Sequence, residues 1–269
     1  MSVFSEERTV KSVVRTDKLA RNYNRAAWFY EASANLYSTG QIKAAKCSQL
    51  NYLQPGQSIL YLGVGAGEDA LRAARKGLQV TCIDISGRML DRLREKLRRE
   101  KLEAELICGD AYQHQRYEHY DAVATNFFLN CFKTDGMRKM MGHGIDLLKP
   151  DGLYLVADVS PPVGTLPARC FNVAYSKWAM SLFWMMRLVP LHENYDYAAE
   201  LNRQGLDIES TDDFRLGKIG PVMFRSVVAR KGGRVGTDPQ TTVGTQAPHF
   251  EMANRVQKTT STSTQERPQ

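Results

Sequence analysis

Residues 58–69 and 80–86, Ser-Ile-Leu-Tyr-Leu-Gly-Val-Gly-Ala-Gly-Glu-Asp and Val-Thr-Cys-Ile-Asp-Ile-Ser, constrain the fold more than any other part of the chain. Ser58 to Leu62 is an apolar run of strand length. Gly63, Gly65 and Gly67 then permit a tight turn and bring backbone N–H groups close to a ligand that side chains would exclude. Asp69 to Lys76 has helical composition, with Ala70, Leu71, Ala73 and Ala74 as its apolar face and Gly77 placed to end it. Leu78 to Ile85 reads as a second strand. Its Asp84 follows the glycines at about the 20 residues expected of an acid that bonds the two hydroxyls of a ribose. The spacing predicts a βαβ unit with a nucleotide-type cofactor at its turn.

Two ligand classes carry such a ribose, the dinucleotides and S-adenosylmethionine. A dinucleotide fingerprint is G-x-G-x-x-G and brings a pyrophosphate onto a helix N-terminus. Here the glycines run G-x-G-x-G, and Glu68 and Asp69 follow at once. Two carboxylates at that point repel a pyrophosphate and suit a cofactor with an ammonium and a sulfonium, which favours S-adenosylmethionine.

With these residues in view, the chain resembles the class I S-adenosylmethionine-dependent methyltransferases. Further segments match in order. Leu106-Ile-Cys-Gly-Asp-Ala111 is similar to the third strand and its turn, Tyr120-Asp-Ala-Val-Ala-Thr-Asn-Phe-Phe-Leu129 to the fourth strand, and Leu147 to Asp158, with its Lys-Pro-Asp-Gly turn, to the fifth. Pro150 and Gly152 are expected to break the preceding helix and set up that strand. Gly205 to Thr211 and Val222 to Arg230 have alternating strand character and resemble strands six and seven. The implied fold is a Rossmann-like α/β sheet of seven mostly parallel strands with helices on both faces, the last strand antiparallel, and a helical N-terminal cap. For S-adenosyl-L-methionine as cofactor, the resemblance implies a site built from Gly63, Gly65, Gly67, Asp84, Ile85, Met89, Asp110, Ala111 and Asn126. Asp110 would accept from the adenine amino group and Ala111 would present a backbone N–H.

The segment Leu19 to Tyr30, followed by Leu36-Tyr-Ser-Thr-Gly40, is similar to the lead-in of the ubiquinone and menaquinone C-methyltransferase group. There a tyrosine and a Ser/Thr-x-Gly turn close over the methionine end of the cofactor, which points to Tyr23, Ser38, Thr39 and Gly40. Trp28 and Tyr30 either join that cap or pack on the core. One departure stands out. The family carries an acid two residues before the first glycine, where it helps hold the cofactor's amino group, and Tyr61 occupies that place. Glu68, Asp69 or a bridging water network are the substitutes the sequence leaves open.

At 269 residues with 43% hydrophobic composition the chain can bury the core of one such domain. The expected organisation is a helical cap over 1–50, a cofactor-binding core over 51–232 with an apolar lid inserted at 161–197, and a disordered tail over 233–269 rich in Thr, Gln, Ser and Pro. Cys47, Cys82, Cys108, Cys131 and Cys170 are scattered without metal-type spacing and read as buried, reduced thiols, with no metal site. No signal peptide or membrane-spanning helix is predicted, so the expectation is a cytoplasmic protein. The net charge of +7 raises the question of nucleic acid. Its densest basic run, Arg92 to Lys101, interleaves with Asp91, Glu95 and Glu100 around a Leu90/Leu93/Leu97 stripe, so it reads as a solvated helix face and not as a nucleic-acid surface.

The lid insert holds Phe171, Tyr175, Trp178, Phe183, Trp184 and several Met and Leu residues. It suits a small apolar acceptor such as a quinone, phenol or lipid-like compound, equally a packed helix or a dimer interface, and with Lys177 and Arg187 a helix resting on an anionic membrane. A monomer and a homodimer are both compatible with this reading. The reaction implied is direct methyl transfer, in which the enzyme aligns the reactants and excludes water. Asp158, Asn126 and His192 are the candidate bases for an acceptor that must lose a proton, while His114, His119 and His143 are expected on the surface. Asn126-Phe-Phe-Leu129 stands where amino-group methyltransferases carry Asn/Asp-Pro-Pro-aromatic. Both prolines are missing, which argues against N-methylation of a planar amine. The alternative reading, raised by Tyr61, is a methyltransferase-fold protein that binds a ligand or partner without transferring methyl.

Overall fold

Alternate residues of β1 (Ser58–Leu62) point to opposite sides of a sheet, and both sides are buried. Ile59 and Tyr61 join one apolar cluster with Leu71, Leu90, Leu93 and Leu97. Leu60 and Leu62 join another with Met137, Met140, Met141 and Leu201. A strand covered on both faces carries apolar residues on both, which is why Ile59 to Leu62 of β1 reads as an unbroken run, while β2 (Gln79–Asp84) buries Thr81 and Asp84 along with Val80, Cys82 and Ile83.

The computed structural model describes residues 38–185, 194–217 and 220–232. Tyr23, Trp28, Tyr30, His192, Arg187 and the segment 233–269 lie outside the described residues. A short helix, α1 (Gln41–Ser48), precedes β1, and α2 (Glu68–Arg75) and α3 (Gly87–Glu100) alternate with β2 and β3 (Glu105–Cys108). Then follow β4 (Tyr120–Ala124), α4 (Thr134–Asp146), β5 (Leu148–Val159), α5 (Leu166–Met185), α6 (Tyr197–Arg203), β6 (Leu206–Arg215) and β7 (Val222–Lys231). The strands form one sheet in the order β3-β2-β1-β4-β5-β7-β6. Its first five members are parallel, and β7 runs antiparallel to both neighbours. The expected sheet is therefore present.

Local signals explain most boundaries. Gly77, at φ +83°, closes α2 in the left-handed conformation. Ser86 caps α3 by accepting from the Met89 N–H at 3.3 Å. The basic run falls on α3 with Leu90, Leu93 and Leu97 inward. Its outer charges pair, Arg94 with Asp91 and Arg98 and Arg99 with Glu95.

Three expectations are corrected. Pro150 does not end a helix: α4 stops at Asp146, and Lys149 to Gly152 lie inside β5 as a bulge, with pairing passing from Tyr120–Leu148 to Ala122–Leu153 and Asp151 at φ +62°. Of the cysteines only Cys82 is buried, while Cys108 and Cys170 are exposed, since both sit at element ends or on an outer helix face. His114 is buried, not on the surface, and its Nε2 lies 2.8 Å from the Tyr120 hydroxyl.

Burial pushes the His114 pKa below its ordinary 6.5, with the Arg116 cation acting in the same direction. The unfolded chain therefore takes up this proton at higher pH than the folded one, and stability present above pH 6.5 is lost as pH falls toward the depressed value. Urea midpoints between pH 7.5 and 5.5 should drop for the native chain, with a visibly shallower drop for His114→Gln.

Candidate cofactor and active site

The strand order reverses direction between β1 and β4, and the carboxyl ends of those two strands open the crevice where α/β sheets of this kind take their ligands. The glycine turn leaves β1 there. Gly63, Gly65 and Gly67 have φ of +69°, +57° and +69°, so each needs the left-handed freedom that the sequence supplies. A Cβ on Gly65 would meet nothing within 4 Å, whereas one on Gly63 would lie 2.1 Å from the Phe128 ring and one on Gly67 2.7 Å from Leu93. Gly65 thus faces open space, and the other two let a ring and a helix close in.

Asp84 ends β2 beside this turn and is buried. Its Oδ2 accepts from the Gly65 N–H and its Oδ1 from the Ser86 N–H, both at 2.8 Å. Each oxygen keeps further acceptor capacity, which is the pattern needed to take two neighbouring hydroxyls at once. Burial raises the Asp84 pKa above 3.8 while the two N–H donors pull it back. Ile85 follows it directly and Met89 is buried on α3. At the end of β3, Asp110 accepts from the Tyr112 N–H at 3.0 Å, and Ala111 is buried with its carbonyl 3.0 Å from His143 Nε2.

A second group of polar residues is buried on the β4 side. Asn126 donates from Nδ2 to Gln49 Oε1 at 3.0 Å and to Asp69 Oδ2 at 3.1 Å, and its Oδ1 accepts from the Ala157 N–H at 2.8 Å. Lys46 on α1 lies 3.4 Å from Asp69 Oδ1. Asp69 is 1% exposed. Glu68, by contrast, faces outward and pairs with Lys96 at 2.6 Å. Tyr61 is buried beside this group, and desolvation, with the Asp69 charge next, holds its phenol well above pKa 10 and therefore neutral. Among the described residues Gln49 Nε2 and Ser38 Oγ are buried without a hydrogen-bond partner, and such atoms are costly unless a ligand or solvent meets them. Ser38 leads through Thr39 (φ +49°) and Gly40 (φ +82°) into α1.

Next to Asn126, Phe127 sits at φ +53°, held by its N–H to the Ala157 carbonyl at 2.8 Å, a strained position for an aromatic residue. Phe128 meets Phe132 edge to face, and Tyr195 meets Tyr197 in the same way. The Tyr195 hydroxyl reaches the Phe132 carbonyl at 3.0 Å. Asp158, at the end of β5, accepts from Tyr197 Oη at 3.0 Å, Asn130 Nδ2 at 2.9 Å and its neighbour's N–H at 2.8 Å.

The structure therefore brings Gly63, Gly65, Asp84 and Asn126 to one end of the sheet, with Asp158 at the end of the next strand. The roles of Lys46, Gln49 and Tyr197 were not visible in the sequence, because no spacing links residues that meet across 23 to 77 positions. Among the described residues no group of three or more His, Cys, Asp and Glu could hold a metal ion, and no helix is long and apolar enough to cross a membrane.

This sheet order and glycine corner are those of the class I S-adenosylmethionine-dependent methyltransferase fold, and the chain carries a methyltransferase domain of that class. Residues 59–152 match the methyltransferase domain family. A demethylmenaquinone methyltransferase of Tropheryma whipplei is 28% identical over 151 residues, 55% of this chain and 61% of that one. A further demethylmenaquinone methyltransferase, from Leptospira interrogans, is 31% identical over 109 residues, 38% of this chain and 42% of its own. The chain thus spans about 61% of the length of the first of these curated relatives. The solved structure of Burkholderia thailandensis 1,6-didemethyltoxoflavin-N1-methyltransferase, with 1,6-didemethyltoxoflavin and S-adenosylhomocysteine bound, aligns with a TM-score of 0.57 at 16% identity, covering 84% of this chain and 90% of its own. That likeness concerns the fold.

Proposed function

We propose that this chain transfers a methyl group from S-adenosyl-L-methionine to a small apolar acceptor of quinone or phenol type. The observation that carries the cofactor half is Asp84, fixed by two backbone N–H donors beside an open glycine turn at the sheet's switch point. The residues fit the cofactor: Asp84 for the ribose hydroxyls, Gly63 and Gly65 for close backbone approach, Ile85, Met89, Asp110 and Ala111 around the adenine. The unpartnered Gln49 Nε2 and Ser38 Oγ would serve the amino-acid end.

Tyr61, held neutral, cannot replace the missing acid. Asp69 takes that role, with its carboxylate for the ammonium and Lys46 for the carboxylate of the same zwitterion. Asn126 has both side-chain atoms engaged and acts as a positioning residue that ties Asp69 and Gln49 to β5.

When bound, the cofactor supplies an electrophilic methyl group on a sulfonium. The chain's own contribution is to align an acceptor, exclude water and accept a proton where the acceptor must lose one. Phe128, Phe132 and Tyr195 offer flat apolar walls beside the glycine turn, which suits a planar ring. Asp158, oriented by Tyr197 and Asn130, is the carboxylate at that end of the sheet for receiving a proton. The names of the demethylmenaquinone methyltransferases support a quinone-like acceptor.

Calorimetric titration with S-adenosylmethionine, S-adenosylhomocysteine and NAD is the first test. The expected result is micromolar binding of the first two and none of NAD, followed by labelled methyl transfer to a demethylated naphthoquinone or a phenol. Absence of binding to any of the three would overturn the reading and favour a binding protein on the same fold.

A further inference from the structure

Helix α5 (Leu166–Met185) is oriented against the usual rule. Its inward side carries Asn172 and Ser176, both buried: Asn172 donates to the Val222 carbonyl at 2.8 Å, and Ser176 Oγ accepts from Asn194 at 3.3 Å. Its outward side carries Leu166 at 73% exposure, Trp178 at 64% and Phe171 at 45%, with Cys170 and Ala174 between them also exposed. Phe171 stacks on Tyr175, their centroids 5.6 Å apart and planes 16° apart, and Tyr175 leads on to Trp178 at 6.3 Å. Tyr175 itself packs toward Phe224 and Met223, so the ladder is rooted in the body while its two ends stand in solvent. Large aromatics left outside while polar groups are docked inside mark a surface meant for another phase or partner.

Charge selects among the occupants. From Val159 to His192 the sequence contains Arg169, Lys177 and Arg187 and no Asp or Glu, although the whole chain has 29 acidic residues. Arg169 and Lys177 are exposed on the same helix. A second copy of this chain would bring the same cations face to face. A surface with apolar depth and negative charge matches both features, and tryptophan and tyrosine are the residues that rest where acyl chains meet headgroups. We propose that α5 is a membrane-interface helix that seats the protein on anionic lipid through Leu166, Phe171 and Trp178, with Arg169 and Lys177 against the headgroups. This inference does not rest on the acceptor proposed above.

The full chain would be sedimented with vesicles of phosphatidylcholine alone and of phosphatidylcholine with 30% phosphatidylglycerol, at low and high salt. Binding to the anionic vesicles, weakened by salt, is expected, with little on neutral ones. Phe171→Ser/Trp178→Ser changes only exposed side chains and should leave the melting temperature and S-adenosylhomocysteine binding unchanged. It should lower vesicle affinity about tenfold or more, and Arg169→Gln/Lys177→Gln should remove most of the salt-sensitive part. Failure to bind anionic vesicles overturns the proposal, as does binding indifferent to both double variants. A dimer by light scattering that Phe171→Ser/Trp178→Ser dissociates, with no vesicle binding, would assign the face to a second copy instead.

Discussion

Asp84→Asn should lower affinity for S-adenosylhomocysteine by about tenfold and Asp84→Ala by about a hundredfold or more, with methyl transfer falling in parallel. The carboxylate oxygens each take one backbone N–H inside the protein, from Gly65 and Ser86, and each keeps room for one hydroxyl. A hydrogen bond to a charged group is worth about 1.5–3 kcal/mol, so losing two of them corresponds to that range of fold-change. The alanine variant also strands the Gly65 and Ser86 N–H groups, a cost of about 1–3 kcal/mol each at a buried site. Its melting temperature should therefore drop. The asparagine variant keeps the shape and one acceptor and strands only one of these two N–H groups, so its folding suffers less than that of the alanine variant. Unchanged affinity in a folded Asp84→Asn protein would remove the ribose from this residue.

That prediction could be written from the sequence, because everything it needs is local. The glycine turn, the helix after it and Asp84 lie within 22 residues, and each announces itself by a rule of backbone or periodicity. The same holds for the Leu90/Leu93/Leu97 stripe and for the Gly77 stop. What the sequence hid depends on chain segments that meet only in the fold. Asn126 reaches Gln49 across 77 positions and Asp69 across 57, so no spacing points to that cluster. His114 lies in a polar stretch and reads as a surface residue until its ring is found on the Tyr120 hydroxyl. Pro150 and Gly152 look like a helix stop followed by a strand, yet strand pairing resumes on both sides of them and turns the segment into a bulge. In α5 the apolar residues were legible and their direction was not, since which face docks is decided by Asn172 and Ser176 finding partners on β7 and on the segment before α6.

Asp69→Asn should discriminate between two ligands that share an adenosine and differ at the other end. Tyr61 stands where the family resemblance leads one to expect an acid, and burial keeps its phenol neutral, so a cofactor ammonium at this corner needs a carboxylate from elsewhere. Glu68 is spent on Lys96 at the surface, whereas Asp69 is buried, accepts from Asn126 and sits 3.4 Å from Lys46. A carboxylate and an ammonium held together below the glycine turn form the counterpart of an α-amino acid zwitterion. Asparagine preserves volume and can still accept from Asn126, and Lys46 keeps some access to water. Stability should thus fall by only about 1–2 kcal/mol, less than the roughly 3–5 kcal/mol of a fully buried pair losing one partner. S-Adenosylhomocysteine, which carries the amino-acid end, should bind about tenfold or more weakly to the variant. Methylthioadenosine, which lacks that end, should bind to variant and native chain alike. Equal weakening of both ligands would mean that Asp69 shapes the corner without meeting the zwitterion. Unchanged binding of both would leave the ammonium to the Ser38 hydroxyl and the cofactor carboxylate to the Gln49 Nε2 donor, and these orphaned polar atoms then become the groups to substitute next.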